Sequence, residues 1–277
     1  MMGIKSKARK IIKKLNAKEK VMVPYPTDQE SLLKGRTALV VGGSGGIGFE
    51  VAKSLLNCGA TVVIGGTNKE KLERCIQTLN NARCFSFIFN LTDIPSISEK
   101  ILEAETLAGS KIDILINCAG YNPIKNFWET DEEAFNRTFD INVKGLFFTC
   151  QAIANYMVRN KIHGHILNLS SSSALRPAFS PYEMSKWTIR GFTKGLADTL
   201  LPYGIVVNAI APGPTATPML GKSSSDDLDL PGNPSGRYAT PQEIAHLATI
   251  LVSSYGDLVV GDTLYATGGS GVISLHR

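Results

Sequence analysis

Residues 37–48 read TALVVGGSGGIG, an apolar run that leads into a cluster of glycines. The run has the length and β-branched content of a buried strand, and a helical pattern begins within the glycines. Glycine permits a sharp strand-to-helix turn and lets the N–H groups of the helix start approach a pyrophosphate. The cluster fits both G-x-G-x-x-G and G-x-x-x-G-x-G, so it predicts dinucleotide binding without choosing an enzyme family. A tight turn with no ligand is the alternative.

From residue 36 onward, apolar strand patterns alternate with amphipathic helix patterns. This alternation predicts one α/β domain, a doubly wound parallel sheet of seven strands with helices on both faces, which is a Rossmann fold. We expect the irregular stretch 213–239 to serve as a lid or binding loop. The predicted strands are 37–42, 60–65, 84–89, 112–117, 164–170, 204–210 and 262–267, and the predicted helices are 46–57, 68–80, 94–108, 131–159, 181–202 and 240–252.

The composition is that of an ordinary globular chain, with 277 residues of which 43% are hydrophobic. No apolar run approaches the roughly 20 residues that cross a bilayer. The basic N-terminus lacks the apolar core of a secretory signal, so we expect a cytoplasmic protein. Five scattered cysteines without a C-x-x-C pair predict reduced thiols. His163 and His165 have no further ligands near them in sequence, and no metal is predicted.

Residues 1–34 are predicted to form a basic extension and linker before the domain at 35–277. The first 20 residues hold eight lysines and arginines against one glutamate, and their apolar residues have helical spacing up to about residue 22. Pro24 and Pro26 end this pattern. We favour a solvated appendage or oligomer contact, followed by a contact with anionic lipid or an acidic protein. A nucleic-acid arm is least favoured, and no nucleic-acid partner is predicted.

Residues 168–186, NLSSSSALRPAFSPYEMSK, supply the candidate catalytic groups. They run from a strand end through four serines to a helix, where Ser180 and Glu183 have the spacing of a capping box. Tyr182 and Lys186 then lie one turn apart on the same face. We expect the ammonium group to lower the pKa of the phenol, so that Tyr182 can exchange a proton with a substrate oxygen. For this pair taken alone, two neighbours without function are the alternative.

The end of the second predicted strand bears on the choice of nicotinamide cofactor. An acidic residue there would accept a hydrogen bond from the ribose 2′-hydroxyl and repel a 2′-phosphate. Residues 65–69 read GGTNK and contain no acid. We therefore expect NADP, with NAD as the alternative cofactor.

The chain resembles the short-chain dehydrogenase/reductase superfamily in its single-domain form, because several motifs occur in the family's order over about 35–270. Among the members of that superfamily, the chain is similar to 3-oxoacyl carrier-protein reductases. The matching motifs are the glycine cluster, NCAG at 117–120, INVKG at 141–145, a strand-end serine with Y-x-x-x-K, and the Pro-Gly turn at 212–213. The chain departs from the family pattern at Val41, Cys118 and Asn90. Its serine precedes the tyrosine by eleven residues, fewer than expected; we choose Ser171 and keep Ser172 in reserve.

The resemblance implies the site residues and their roles. Tyr182 would be the general acid or base, Ser171 would bond the reacting oxygen, Lys186 would act on the tyrosine and the ribose, and Asn142 would hold a water. The residues implied to bind the cofactor are Gly42, Ser44, Gly45, Gly46, Ile47, Gly48, Thr67, Asn68, Asn90, Leu91, Asn117, Ala119, Gly120, Tyr182, Lys186, Pro212, Gly213, Thr215 and Thr217.

These observations predict an NAD(P)-dependent oxidoreductase that interconverts a ketone and a secondary alcohol by hydride transfer. A non-catalytic dinucleotide sensor or scaffold is the alternative, and a sugar-nucleotide epimerase is disfavoured by chain length. The substrate is predicted only as a small carbonyl or alcohol, with a 3-oxoacyl thioester as the specific guess. The resemblance implies a homo-oligomer, a tetramer or a dimer, built on the helices at 131–159 and 181–202.

Overall fold

The computed structural model describes residues 30–274, so the predicted basic helix and its proline linker lie outside the described range. Residues before the predicted boundary at 35 already belong to the domain. Leu33 is 1% exposed, and its N–H donates to the carbonyl of Cys58 at 2.7 Å. Leu33 therefore packs with the core residues of the domain, although it precedes the predicted boundary at 35.

Seven parallel strands form one sheet in the described part of the chain, in the order β3-β2-β1-β4-β5-β6-β7. Every neighbouring pair runs parallel, as the alternating pattern predicts. The strands are β1 (Thr37–Val41), β2 (Thr61–Gly66), β3 (Cys84–Ile88), β4 (Ile114–Asn117), β5 (Gly164–Leu169), β6 (Ile205–Pro212) and β7 (Thr263–Ala266).

Seven α-helices cover the two faces of this sheet within residues 30–274. They are α1 (Gly46–Asn57), α2 (Lys69–Leu79), α3 (Ile97–Ala108), α4 (Glu132–Phe139), α5 (Leu146–Arg159), α6 (Pro181–Leu200) and α7 (Pro241–Leu251). Apolar residues of α1, α2 and α7 form the core on one face, and those of α3, α5 and α6 form the core on the other. The prediction of a doubly wound Rossmann fold is confirmed.

Burial on both faces explains why the strands read as continuous apolar runs. All five residues of β1 and all eight of β6 are buried. A strand covered by helices on both sides has no polar face, so alternation is absent from its sequence. The strand β6 is also longer than predicted, because Pro212 still pairs with Ala266 of β7.

The helix predicted over 131–159 is interrupted. A π-helical segment, Asp140–Gly145, separates α4 from α5. Gly145 lies within this segment, and a Cβ there would stand 2.6 Å from the Cβ of Leu91. Such insertions in a helix are rare and often occur at functional sites.

The start of α6 follows its prediction. Ser180 and Glu183 form the capping box, with Ser180 accepting from the N–H of Glu183 and Glu183 accepting from the N–H of Ser180. This box and the proline at the first helical position fix where the helix begins. Among residues 30–274, no helix combines the length and the apolar character needed to cross a membrane.

Candidate active site

The glycine turn after β1 requires glycine at two of its positions. Gly42 has φ +79°, and a Cβ there would stand 2.5 Å from the N atom of Ala119. A Cβ on Gly48 would stand 2.3 Å from the carbonyl oxygen of Gly42. Helix α1 is thereby brought directly against the end of β1, which places its N-terminus at the carboxyl edge of the sheet.

The N-terminus of α1 has features that fit a pyrophosphate. Its N-cap residue, Gly45, has no side chain to cap the helix. A Cβ on Gly45 would meet only the carbonyl of Gly42, at 3.5 Å, so the outer side of the turn is open. N–H groups in a first helical turn lack partners within the helix and attract anions. The residues of this turn therefore fit the phosphates of a dinucleotide.

The loop after β6 closes over the same helix start. A Cβ on Gly46 would stand 2.9 Å from Cγ2 of Thr217, so these two residues are in contact. Thr217 donates to the carbonyl of Thr215 at 3.3 Å, and Thr215 donates to the carbonyl of Gly213 at 3.0 Å. The structure thus brings the predicted threonine turn together with the predicted glycine turn, although about 170 residues separate them.

The end of β2 is open and carries no carboxylate. Thr67, Asn68 and Lys69 are exposed. The Oδ1 atom of Asn68 caps α2 by accepting from the N–H of Lys71 at 2.8 Å. The side chain of Lys69 is 80% exposed and lies 3.9 Å from Glu73, which leaves it free to turn toward a ligand. This edge can accommodate an added phosphate.

The ends of β3 and β4 place their predicted residues in different ways. Asn90 is exposed, and its Oδ1 accepts from the N–H and the hydroxyl of Thr92. Gly120 lies at the cleft. Asn117 turns into the core instead: its Nδ2 donates to Asn168 at 2.9 Å, and its buried Oδ1 has no hydrogen-bond partner. The side chain of Asn117 therefore braces β4 against β5, and a contact between Asn117 and the cofactor stays a prediction.

Ser171 is the serine of the 170–173 run that meets Tyr182. Its side chain lowers the pKa of the tyrosine phenol, and its hydroxyl donates to the Oγ of Ser173 at 3.2 Å. The Ser171 oxygen also accepts from the N–H of Ser173 at 3.1 Å, which fixes its position. Ser170 is 3% exposed and donates to the carbonyl of Lys186, and Ser172 is 5% exposed. Ser171 is thus placed beside the phenol, whereas Ser170 fastens α6 to β5.

The pKa of Tyr182 differs from the expectation. Burial of the phenol raises its pKa above the ordinary value, and the hydrogen bond with Ser171 lowers it in part. The expected lowering by Lys186 is not found. The Nζ atom lies 5.5 Å from the centre of the Tyr182 ring and donates to the carbonyl of Leu169 at 2.8 Å. The ammonium group is therefore directed at a backbone oxygen, and removal of the phenol from water has the larger effect.

Lys186 is itself a buried cation, only 4% exposed. Burial lowers its pKa to about 8, an effect that the nearby thiol of Cys118 partly opposes. Burial in turn raises the pKa of the Cys118 thiol to about 12, which keeps the thiol protonated at neutral pH. Lys186 consequently loses its proton within the range where enzymes are usually assayed, and this titration was not foreseen from the sequence.

Asn142 lies in the π-helical segment and links three parts of the cleft. Its Oδ1 accepts from the N–H of Tyr121 at 2.7 Å, and its Nδ2 donates to the carbonyl of Tyr121 at 2.9 Å and to Ser185 at 3.0 Å. A Cβ on Gly120 would stand 3.6 Å from this Oδ1 and 3.7 Å from the Nζ of Lys186. Asn142 and Lys186 therefore flank Gly120. The water-holding role of Asn142 stays a prediction, because its side chain is engaged in these bonds.

Ser185 is a site residue that the sequence reasoning missed. It is fully buried, accepts from Asn142, and donates to the carbonyl of Tyr182 at 2.6 Å. It therefore ties the π-helical segment to the first turn of α6. The signal available in the sequence was its position directly before Lys186, on the buried face of the helix.

The Rossmann sheet, the glycine turn and the grouped serine, tyrosine and lysine define a dinucleotide-dependent oxidoreductase. The model of the short chain dehydrogenase family matches residues 36–228, which is more than half of the chain. The chain belongs to the short-chain dehydrogenase family, whose members act on alcohol and ketone substrates, and the resemblance stated from the motifs is confirmed.

Curated relatives and solved structures agree with this membership. The chain is 32% identical over 241 residues to the 3-oxoacyl-acyl-carrier-protein reductase of Rickettsia bellii (strain RML369-C), covering 86% of this chain and 97% of that protein. It is 35% identical to the acetoacetyl-CoA reductase of Acinetobacter sp. (strain RA3849), over 84% and 97% of the two. A gluconate 5-dehydrogenase of Burkholderia cenocepacia J2315 in complex with NADP and tartrate superposes with TM-score 0.79, at 30% identity, over 89% of this chain and 99% of that one.

Proposed function

We propose that this protein interconverts a ketone and a secondary alcohol with NADP, using Tyr182 as the general acid in reduction and the general base in oxidation. The observation that carries the proposal is the grouping of three side chains. Ser171 acts on the pKa of the Tyr182 phenol, and the Nζ of the buried Lys186 lies 5.5 Å from the centre of the Tyr182 ring. When bound, the cofactor would supply or accept the hydride. The chain's own residues would bind the substrate oxygen and move its proton.

The raised pKa of Tyr182 supports its role as a proton donor. At neutral pH the phenol is protonated, which is the form that a general acid needs. Ser171 would donate to the same substrate oxygen and stabilise the charge that develops there. Because Ser171 follows β5 and Tyr182 lies in the first turn of α6, the two groups would hold the substrate oxygen between the strand end and the helix start.

Lys186 and Asn142 would support Tyr182 without contacting the reacting oxygen. A protonated Lys186 would favour the phenolate that forms as the proton leaves. Its Nζ faces Gly120, where it would also reach the ribose of a cofactor lying on the glycine turn. Asn142 would hold the backbone of Tyr121, and so the cleft wall, in place.

The preference for NADP rests on the end of β2. The last strand residue, Gly66, stands where an acidic residue would accept from a ribose 2′-hydroxyl. Exposed Thr67 and Lys69 follow it, so a hydroxyl and an ammonium group are available to a 2′-phosphate. The NADP bound by the gluconate 5-dehydrogenase relative points the same way.

The variant Tyr182→Phe tests the proposal most directly. It removes the proton donor but keeps the ring, so we expect NADPH oxidation with a ketone and acyl-thioester panel to fall about 10²- to 10⁴-fold. Cofactor binding, measured by fluorescence titration of NADPH, should be retained. The exposed Tyr203→Phe variant is the matched control and should keep full activity.

Two outcomes would contradict this function. Turnover by Tyr182→Phe at the level of the unaltered protein would exclude the phenol as the proton donor. NADPH binding without oxidation across the whole panel would support the non-catalytic sensor instead.

The cofactor preference is tested by Gly66→Asp. A Cβ at this position would stand 3.0 Å from the hydroxyl of Ser44, which can rotate away. The new carboxylate should lower the NADPH-to-NADH ratio of kcat/KM by about 10- to 100-fold, because it repels the 2′-phosphate and accepts from a 2′-hydroxyl. Gly66→Ala supplies the steric control, and an equal change in that variant would contradict the electrostatic explanation.

Assembly and location belong to the same proposal. We propose a homo-oligomer that packs through α5 and α6, because Phe147 and Trp187 are each 41% exposed on these helices. Sedimentation velocity would give the mass of the assembly.

A cytoplasmic location is supported by the free state of all five cysteines, which suits a reducing compartment.

A further inference from the structure

An open cavity of about 410 Å³ lies beside the segment that joins Ser171 to Tyr182. Three separate parts of the chain line it. They are Arg176 of the segment 171–180 that precedes α6 (the serine segment), Pro231, Gly232 and Pro234 of the irregular stretch 213–239 (the lid loop), and Ser270 and Gly271 of the turn after β7.

Arg176 gives the cavity its charge. Among the described lining residues it alone carries a charged side chain. Its Nη2 donates to the hydroxyl of Ser270, and no carboxylate within residues 30–274 forms an ion pair with it. A guanidinium group has five N–H donors. Most of them therefore remain for a ligand, and their geometry matches a carboxylate or a phosphate.

The backbone around Arg176 is fixed to the helix that bears Tyr182. The indole N–H of Trp187 donates to the carbonyl of Arg176 at 2.9 Å. The Nη1 of Arg190 donates to the carbonyl of Ala174 at 3.2 Å. Both donors belong to α6, so the position of Arg176 is tied to that of the candidate catalytic tyrosine.

The opposite walls of the cavity are also held in place. The N–H of Ser235 in the lid loop donates to the carbonyl of Gly268 at 2.9 Å. Gly271 has φ +81°, and a Cβ there would stand 3.3 Å from the carbonyl of Ser172 and 3.1 Å from the Cβ of Leu175. The lid, the turn after β7 and the serine segment therefore pack together around a preformed space, which is how most small-molecule sites are built.

The cavity is close enough to the cleft for one molecule to reach both. Arg176 precedes Tyr182 by six residues, so their Cα atoms are separated by at most about 20 Å. The lid loop begins at Gly213, in the turn that contacts the glycine loop through Thr217. We propose that the cavity binds an anionic group, a carboxylate or a phosphate, at the far end of the carbonyl substrate, with Arg176 selecting it. The inference rests on the proposed function for the reaction at the other end of that molecule.

Matched substrates test the selection. The first series consists of methyl ketones that carry a terminal carboxylate across methylene spacers of increasing length. Their methyl esters remove the charge, and phosphate monoesters of the matching hydroxyketones replace the carboxylate. At the best spacer we expect the anion to exceed its ester in kcat/KM by about 10- to 100-fold. The series with the larger ratio identifies the anionic group.

Variants test whether Arg176 causes the anion-to-ester ratio of kcat/KM. We expect Arg176→Gln to bring the anion-to-ester ratio close to one and Arg176→Lys to retain part of it. Ser270→Ala removes the hydrogen bond within the cavity but keeps the charge, so it should keep most of the ratio. Arg159→Gln, an exposed arginine at the end of α5, removes the same charge elsewhere and should leave the ratio unchanged.

An unchanged ratio in Arg176→Gln, or a ratio near one in the unaltered protein that turns over the esters, would overturn the inference. If no ketone is reduced at all, the proposed function is wrong. Anion binding in the Arg176 cavity is then tested by titration, without turnover. Inorganic phosphate and glutarate would then be titrated into the isotope-labelled protein, with the side-chain N–H signal of Arg176 as readout. A saturable shift that Arg176→Gln abolishes would support the anion site, and no shift would overturn it.

Discussion

Among the described residues, the carboxyl ends of the strands (the carboxyl edge) bury a charged group without a charged partner, whereas the amino ends (the amino edge) pair charged groups that are only partly buried. At the carboxyl edge, Lys186 is 4% exposed and has a single carbonyl as its hydrogen-bond partner, with no carboxylate paired to it among the described residues. Beside it, the buried Oδ1 of Asn117 has no partner. Burial lowers the pKa of Lys186 to about 8 as a result.

At the amino edge, the charges are paired. Arg36 donates to Asp113 and lies 3.2 Å from Nδ1 of His165, and the Nε2 of His165 lies 3.1 Å from Asp257. The N–H of Thr37 also donates to Asp113, at 2.8 Å. This chain of contacts joins the starts of β1, β4 and β5.

The cation of Lys186 at the carboxyl edge would serve catalysis, whereas the paired cation of Arg36 at the amino edge would serve stability. A buried cation that lacks a carboxylate partner is costly, and its pKa responds to whatever occupies the cleft. A partly buried cation with a carboxylate partner, such as Arg36 with Asp113, holds strands together, and removing the partner is costly. We therefore expect changes at the carboxyl edge to act on turnover, and changes at the amino edge to act on the free energy of unfolding.

The largest expected effect is that of Lys186→Met. Removing the ammonium group should lower kcat/KM for ketone reduction by about 10²- to 10⁴-fold. In the unaltered protein the rate of reduction should fall above pH 8, as Lys186 loses its proton near its pKa of about 8. Initial rates measured across the pH range would show this fall in the unaltered protein, and the variant should not show it. If the variant shows the same fall in rate above pH 8, Lys186 is not the group that titrates, and its assignment to turnover would be wrong.

A smaller effect is expected for Asp113→Asn. The amide keeps the shape but leaves Arg36 without its ion-pair partner, so urea denaturation should show a loss of about 1–3 kcal/mol. Turnover at low temperature should persist. Glu73→Gln serves as the control, because it breaks a pair with Lys69 whose side chains are 80% and 58% exposed, and such surface pairs contribute little. Equal losses in the two variants would contradict the stabilising role of the amino edge.

Near neutral pH, the smallest expected effect is a slope of stability with pH at His165. Burial, and then the charge of Arg36, lowers the pKa of His165 to about 3, whereas an unfolded histidine titrates near 6.5. The unfolded chain therefore binds the extra proton, and stability should fall between pH 6.5 and about 3, by at most about 1.4 kcal/mol per pH unit. Asp113, whose pKa burial raises, changes stability in the opposite direction.

Comparing unfolding of the unaltered protein and His165→Gln at several pH values isolates this slope. Asp113 is present in both proteins, so its own contribution cancels except for the part coupled to His165 through Arg36. We expect the stability difference between them to narrow as the pH falls from 6.5. A difference that is constant with pH would show that His165 does not titrate as proposed.

Much of the fold could be predicted because its signals are local. The start of α6 follows from the Ser180–Glu183 spacing, and the turn after β1 follows from its glycines. The π-helical segment was not predicted, because no local pattern marks it and a residue packed against it, Leu91 beside Gly145, is distant in sequence. The direction of Asn117 into the core was missed for a similar reason, since its partner Asn168 lies 51 residues further along the chain.

By itself the sequence determined the order of elements, the dinucleotide turn and the family, since these depend on residue types at fixed short spacings. Tertiary structure alone decided which serine meets Tyr182, that burial outweighs Lys186 in setting the pKa of the phenol, and that His165 and Arg36 become neighbours from 129 residues apart. Desolvation and long-range contacts depend on what surrounds a group in space, and no spacing along the chain records that.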